Sequence, residues 1–283
     1  MANDVISTTV ACLPAFRTTG QANRPTILFV HGAFVTHASW QGWMQRLARH
    51  GWPGVAVSRR GRLGKDPDGA QGLRFADYLD DTLRVVDAIT AESGPPIVVG
   101  HSLGGLLAQK VAEVGRCRAM VLLAPAPPAM LTAQAVALPA YLPMFPKILA
   151  GRSLLPSRAG TARIAFNGMP PADRARLHAT LVPESGIVYR ELIFGAVKLD
   201  SSKVQCPAIV VGGAHDRIVS EALLRLTARQ CHAALRVLPD HAHWLLEEPG
   251  WEAIADQVST WLEKETIDTT STPAEAMAAR PLL

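Results

Sequence analysis

The chain has 283 residues, with 28 Lys and Arg against 24 Asp and Glu for a formal net charge of +4, and hydrophobic residues make up 48% of it. That composition excludes a disordered chain, and the length is enough to bury a large core in one large α/β domain or two small ones. The cations are scattered apart from Arg59, Arg60, Arg62 and Lys65, too few for the continuous basic stripe of a nucleic-acid-binding protein.

Cys12, Cys117, Cys206 and Cys231 lie far apart and form no CxxC pair, so neither a metal site nor a disulfide framework is expected. The first twenty residues hold no basic segment followed by an apolar core. No stretch offers the ~18 consecutive apolar residues of a membrane span, so a cytoplasmic protein with no membrane span is expected.

In chain order, short apolar runs alternate with longer helical patterns, which predicts βαβ units and a mainly parallel, doubly wound sheet. A strand at 26–30 leads to a helix at 40–50, and a strand at 55–58 leads to the cations at 59–62, which are expected on a solvated rim. A helix at 75–92 carries Phe75, Leu79, Leu83, Val86 and Ile89 at helical spacing as its core stripe, with Asp77, Asp80, Asp81 and Arg84 on its other faces. Strands at 97–99, 119–123, 208–212 and 235–238 and helices at 103–114, 221–230 and 251–263 complete the rhythm. These strand runs are continuous rather than alternating, as strands covered on both faces require.

The stretch from about 125 to 202 breaks the pattern. It is rich in Pro, Ala and Met, with helical pieces near 172–181 and 189–196, and is too long for a plain connection between two strands. The expected organisation is a core of residues 1–125 and 203–265, a helical cap of 126–202 over the sheet's C-terminal edge, and a flexible tail of 266–283. Met130, Leu131, Tyr141, Leu142, Met144, Phe145, Ile148 and Leu149 could line a pocket under such a cap or merely bury the cap against the sheet. Phe34, His101, Tyr141, Met144, Phe145 and Trp244 are the candidate substrate-pocket residues.

The strand at 97–99 runs through Gly100-His-Ser-Leu-Gly-Gly105 into a helix. A G-x-S-x-G in that strand–turn–helix setting forces Ser102 into a strained backbone conformation, small neighbours let helix and strand approach, and the helix N-terminus favours developing negative charge. Phe29-Val-His-Gly-Ala33 ends an earlier strand. Acyl transfer needs two donors aimed at an oxyanion, and here they would be the backbone N–H groups of Ala33 and Leu103, with Phe34 the near alternative to Ala33. His31 is expected to brace its loop.

These motifs resemble the α/β-hydrolase fold superfamily, and its capped esterase-, lipase- and peroxidase-like members above all, over about residues 26–263. The resemblance implies the order Ser, acid, His. Asp216, in Gly213-Ala-His-Asp216, matches the acid loop, while Ala124-Pro-Ala-Pro-Pro offers no carboxylate at the other acid position. His243, several residues before Glu248-Pro249, matches the histidine position, with Ala242 where the family has Gly and His241 as a near alternative. His101 and His215 would flank the site. The implied chemistry is a serine hydrolase, carboxylesterase-like, that cleaves an ester or related acyl bond of a small, largely apolar molecule through an acyl-enzyme on Ser102, with no metal and no cofactor. Alternatives on the same three residues are C–C hydrolase or hydroxynitrile-lyase-type chemistry, the latter favouring a cation in the pocket, from residues 59–62 or Lys198. A non-enzymatic ligand receptor is the alternative from another class.

Overall fold

The computed structural model describes residues 4–62, 66, 68–128 and 134–266, so Lys65, Met130, Leu131 and the tail from 267 onward lie outside the described residues. Along the chain come β1 (Ile6–Val10), β2 (Leu13–Thr18), β3 (Ile27–Val30), α1 (Gln41–Arg49), β4 (Gly54–Val57), α2 (Phe75–Ser93), β5 (Ile97–His101), α3 (Leu103–Glu113) and β6 (Ala119–Leu123). The insertion then supplies α4 (Leu138–Tyr141), α5 (Phe145–Leu149), α6 (Arg158–Ile164), α7 (Pro171–Ala179) and α8 (Gly186–Ile193). The chain returns through β7 (Ala208–Gly213), α9 (Glu221–Gln230), β8 (Ala234–Leu238) and α10 (Trp251–Thr266).

The strands form one sheet in the order β1-β2-β4-β3-β5-β6-β7-β8. From β4 to β8 every pairing is parallel, and only β1 with β2 and β2 with β4 run antiparallel. Alternation along the fully buried central strands β3, β4, β5, β6 and β7 explains their unbroken apolar runs, whereas the edge strand β8, expected to be covered on both faces, is only partly buried. Leu28, Val30 and Val98 pack into one core with α2, α3 and α9, while Ile27, Phe29 and Val99 pack into another with α1 and α10. The β1–β2 hairpin is an addition to the expected elements.

Three expectations about charged and apolar residues are corrected. Asp81 belongs to the buried side of α2, where it accepts hydrogen bonds from the Arg60 backbone and side chain and pairs with Arg84. Arg59 and Arg62 are buried rather than on a solvated rim. Phe145, together with Leu142 and Leu149, points away from the interior and is exposed. The physical reason for the buried arginines is a set of partners far along the chain. Arg62 ion-pairs with Glu184, donates to the Pro183 carbonyl at 2.7 Å and lies 3.2 Å from the Tyr78 hydroxyl, which itself donates to Glu184 at 2.6 Å. Burial alone would push the Glu184 carboxyl up, but Arg62 beside it holds it below the usual carboxylate range.

These polar bonds tie the insertion to the β4–α2 connection. Among the described residues no helix is long and apolar enough to cross a membrane. All four cysteines are free, with the Cys117 and Cys206 thiols 3.6 Å apart.

Removing the counter-charge of Arg62 leaves an uncompensated buried cation. Glu184→Gln is therefore expected to lose about 3–5 kcal/mol of stability in urea unfolding, whereas a loss under about 1 kcal/mol would contradict the tether.

Candidate active site

Five loops leave the C-terminal ends of parallel strands on the same side of the sheet: His31–Ala33 after β3, Ser102 after β5, Ala124–Ala126 after β6, Asp216 after β7 and His243 after β8. In open α/β sheets that edge is where ligands collect.

Ser102 has φ +52° and ψ −118°, a strained conformation for a residue with a side chain. Its backbone is held on all sides: the amide donates to Leu123 O at 3.0 Å, and the carbonyl accepts from Gly105 and Ala126, both at 2.9 Å. Gly104 sets how near α3 comes to β3, since a Cβ there would lie 2.0 Å from Val30 O. Leu103 is the first residue of α3, so its N–H has no partner within the helix. Among the described residues neither it nor the amide of Ala33 donates to any protein acceptor. Both residues border one cavity.

Arg59 controls the direction of the Ala33 amide. Its guanidinium donates to His31 O at 2.7 Å and to Gly32 O at 3.1 Å, and His31 Nδ1 also donates to Gly32 O, at 2.8 Å. The Gly32 carbonyl and the Ala33 N–H belong to one planar trans peptide unit and point opposite ways, so pinning the carbonyl aims the N–H away from Arg59. Burial, reinforced by Arg62, brings Arg59 down to about 10, which leaves it a cation at neutral pH. The Phe34 backbone, at φ +63°, is anchored from the insertion by Val182 N, which donates to Phe34 O at 2.8 Å. Sequence reasoning placed Arg59 at the surface and missed this role.

His243 Nδ1 lies 2.8 Å from Asp216 Oδ2, and the other Asp216 oxygen accepts the amides of Ile218 at 2.7 Å and Val219 at 2.9 Å. The carboxylate is thereby fixed, and with it the imidazole tautomer that carries its proton on Nδ1. Nε2 is left without a protein partner among the described residues. Ser102 and His243 border the same cavity, though no hydrogen bond joins them directly. His241 does not reach Asp216; its Nδ1 sits 3.5 Å from Glu248. Buried Glu248 is a second residue that sequence reasoning missed as a participant. Its two oxygens accept the amides of Ala242 at 2.7 Å and Trp244 at 2.8 Å, on either side of His243.

His101 is buried behind the site, with Nε2 2.9 Å from the His243 carbonyl. Burial above all, then the neighbouring His243, lowers it to about 3, so it stays neutral. His31 is lowered well below 6.5, first by burial and then by Arg59. His215 and Lys198 are exposed.

The cavity is narrow, with about 80 Å³ of room for the centres of water-sized molecules. Phe34, His101, Tyr141, Met144 and Trp244 border it; Phe145 does not, being 40% exposed on the opposite side of its helix. Phe166, Ile164, Leu181 and Tyr189 from the insertion complete an apolar lining that contains no Lys, Arg, Asp or Glu among the described residues. Nor, among those residues, is any group of three His, Cys, Asp or Glu placed to hold a metal ion.

Comparison with known proteins agrees with this architecture. Residues 27–257 match the model of the alpha/beta hydrolase family. A stretch of 110 residues is 34% identical to a non-heme chloroperoxidase of Kitasatospora aureofaciens, covering 37% of this chain and 38% of that protein, well under two thirds of its length. Among solved structures, a soluble variant of monoglyceride lipase from Saccharomyces cerevisiae in complex with a substrate analog superposes with a TM-score of 0.72 at 15% identity, over 94% of this chain and 96% of that one. The 2-hydroxy-6-oxo-6-phenylhexa-2,4-dienoate hydrolase of Rhodococcus sp. strain RHA1 gives 0.65 at 18% identity, over 91% and 98%. At such identities these structures share the fold.

The buried imidazoles make stability pH-dependent. Folding keeps His101 neutral down to about 3, while the unfolded chain protonates it near 6.5, so its contribution is complete above 6.5 and is lost as pH falls below it. Urea midpoints are expected to fall steadily from neutral pH to about pH 5, less steeply in His101→Asn; equal slopes for the two proteins would contradict this.

Proposed function

The chain belongs to the alpha/beta hydrolase family, and from that premise we propose that it is a serine hydrolase that cleaves a carboxylic ester, or a related acyl bond, of a small, neutral, largely apolar molecule. The observation that carries this reading is the strained Ser102 at the head of α3 sharing a cavity with a His243 that Asp216 holds by Nδ1 at 2.8 Å.

In the reaction, Ser102 Oγ attacks the substrate carbonyl as His243 Nε2 takes its proton. Asp216 stabilises the imidazolium, and the N–H groups of Ala33 and Leu103 receive the oxyanion. Ala33 is preferred to Phe34 because the Gly32–Ala33 peptide is the one that Arg59 and His31 orient. His243 then protonates the departing alcohol. Water, deprotonated by the same nitrogen, releases the acid and restores Ser102. Residues 126–202 act as a cap whose inner side supplies the apolar wall. An apolar lining free of Lys and Arg supports a neutral substrate and disfavours the lyase reading, which calls for a cation in the pocket.

The match to a non-heme chloroperoxidase favours a second reading on the same three residues. Hydrogen peroxide would replace water in attacking the acyl-enzyme, its proton passing to His243, so that Ser102 leaves with a peracid as product.

Incubation with a fluorophosphonate probe and a panel of p-nitrophenyl esters tests the proposal. Wild type is expected to label and turn over, with both lost by at least about 10³-fold in Ser102→Ala and His243→Ala. A wild type that neither labels nor hydrolyses any ester would overturn it. Peracid formation on adding peroxide separates the second reading from the first. Arg59→Lys, which keeps the charge but not the two-pronged hold, is expected to lower kcat about 10–100-fold with KM little changed; a change confined to KM would contradict the positioning role.

A further inference from the structure

Helices α4 and α5 and the 3-10 turn between them, Leu142–Met144, run as one nearly continuous helical stretch from Leu138 to Leu149. The stretch is apolar on two sides. Inward, Tyr141 and Met144 border the cavity and Ile148 is fully buried. Outward, Leu138, Leu142, Phe145 and Leu149, spaced four, three and four apart, are 47%, 66%, 40% and 49% exposed. With Leu155 and Phe194, six of the eight large exposed apolar residues among those described sit in the insertion. Single exposed leucines need no explanation, but a helix with a second apolar side turned outward calls for a partner or a lipid boundary.

Charge points to which. Residues 134–172 contain no Asp or Glu and four exposed cations, Lys147, Arg152, Arg158 and Arg163. The insertion's acidic residues are already engaged: Asp173 with Arg176, Glu184 with Arg62, Glu191 with Arg74 and Asp200 with Lys203. None of the four cations forms an ion pair among the described residues. Lys147 lies within the stretch and Arg152 just beyond it, so a second copy of the chain docked here by two-fold symmetry would bring like charges together. An anionic lipid surface instead meets both features, since leucine and phenylalanine enter the acyl boundary while lysine and arginine meet the headgroups.

We propose that the outer face of α4 and α5 docks on an anionic lipid surface, with Leu142, Phe145 and Leu149 inserted and Lys147 and Arg152 against the headgroups. Docked this way, the cavity wall formed by Tyr141 and Met144 stands about one helix diameter, ~10 Å, from the lipid. An apolar ester dissolved in the bilayer would then be held close to the site.

The test is co-sedimentation of the full chain with sucrose-loaded vesicles, of phosphatidylcholine alone and of phosphatidylcholine mixed with phosphatidylserine. Binding is expected to the phosphatidylserine vesicles and to weaken with salt. Lys147→Gln with Arg152→Gln should lower the partition coefficient about 10–30-fold, at roughly fivefold per cation. Leu142→Ser with Phe145→Ser should lower it at least about tenfold, and neither pair should change the thermal unfolding temperature. No sedimentation of wild type with either vesicle would overturn the proposal. So would binding that ignores Leu142→Ser with Phe145→Ser and follows charge alone, which indicates an acidic macromolecule. A wild-type dimer in light scattering that the same pair makes monomeric would assign the face to a second copy and overturn it too. Sedimentation reads lipid binding without turnover, so its outcome is independent of the hydrolase reading.

Discussion

The close approach of α3 to the end of β3 is the constraint on which the rest of the site depends. It exists because Gly104 has no side chain: any Cβ there would collide with Val30 O at 2.0 Å. With the helix pressed in, the chain between β5 and α3 must turn within one residue, and Ser102 takes the strain at φ +52°. The same approach brings the unpaired amide of Leu103 beside the loop that carries Ala33. The strained turn at Ser102 and the amide of Leu103 beside the β3 loop are therefore one packing event. What the glycine contact cannot settle is the direction of the Ala33 amide, and a buried arginine does that from behind through the carbonyl of the same peptide unit.

A second layer of buried polar contacts surrounds the first. Glu248 grips the amides before and after His243, Asp216 holds the imidazole, and His101 braces the His243 carbonyl. Each buried charge in this layer is met by backbone N–H or carbonyl groups, which keeps its desolvation cost affordable in an apolar setting. The network of Arg62, Tyr78 and Glu184 then carries the same logic outward, fastening the insertion to the β4–α2 connection. The apolar lining contributed by Phe166, Leu181 and Tyr189 is positioned by elements tied to the sheet in this way.

Much of this was legible in the sequence. Buried parallel strands must be apolar on both faces, so their runs stood out, and the glycines around Ser102 mark a turn that other residues cannot make. Other features lacked a local signal. The β1–β2 hairpin turns through Ala11 and Cys12, with φ +49° and +64°, where a tight turn ordinarily shows Gly, Asn or Asp. Arg59 and Arg62 looked like solvated cations because the groups that bury them, the β3 loop carbonyls and Glu184, are distant in the chain. Phe145 reads as a pocket residue because its helix is apolar on both sides and punctuated by Pro139, Pro143 and Pro146, which hides the phase of the helical repeat. Glu248 was visible only as part of an acidic-Pro landmark, since nothing local reveals that a carboxylate will accept two amides flanking a histidine.

Covalent capture of the acyl group tests the central claim most directly. Wild-type protein mixed with an activated ester, quenched within the first turnovers and digested, should yield the peptide containing Ser102 heavier by the mass of the acyl group, with that species decaying at the rate of product release. Ester turnover with no adduct on Ser102, or with the acyl group on a different residue, would contradict the account.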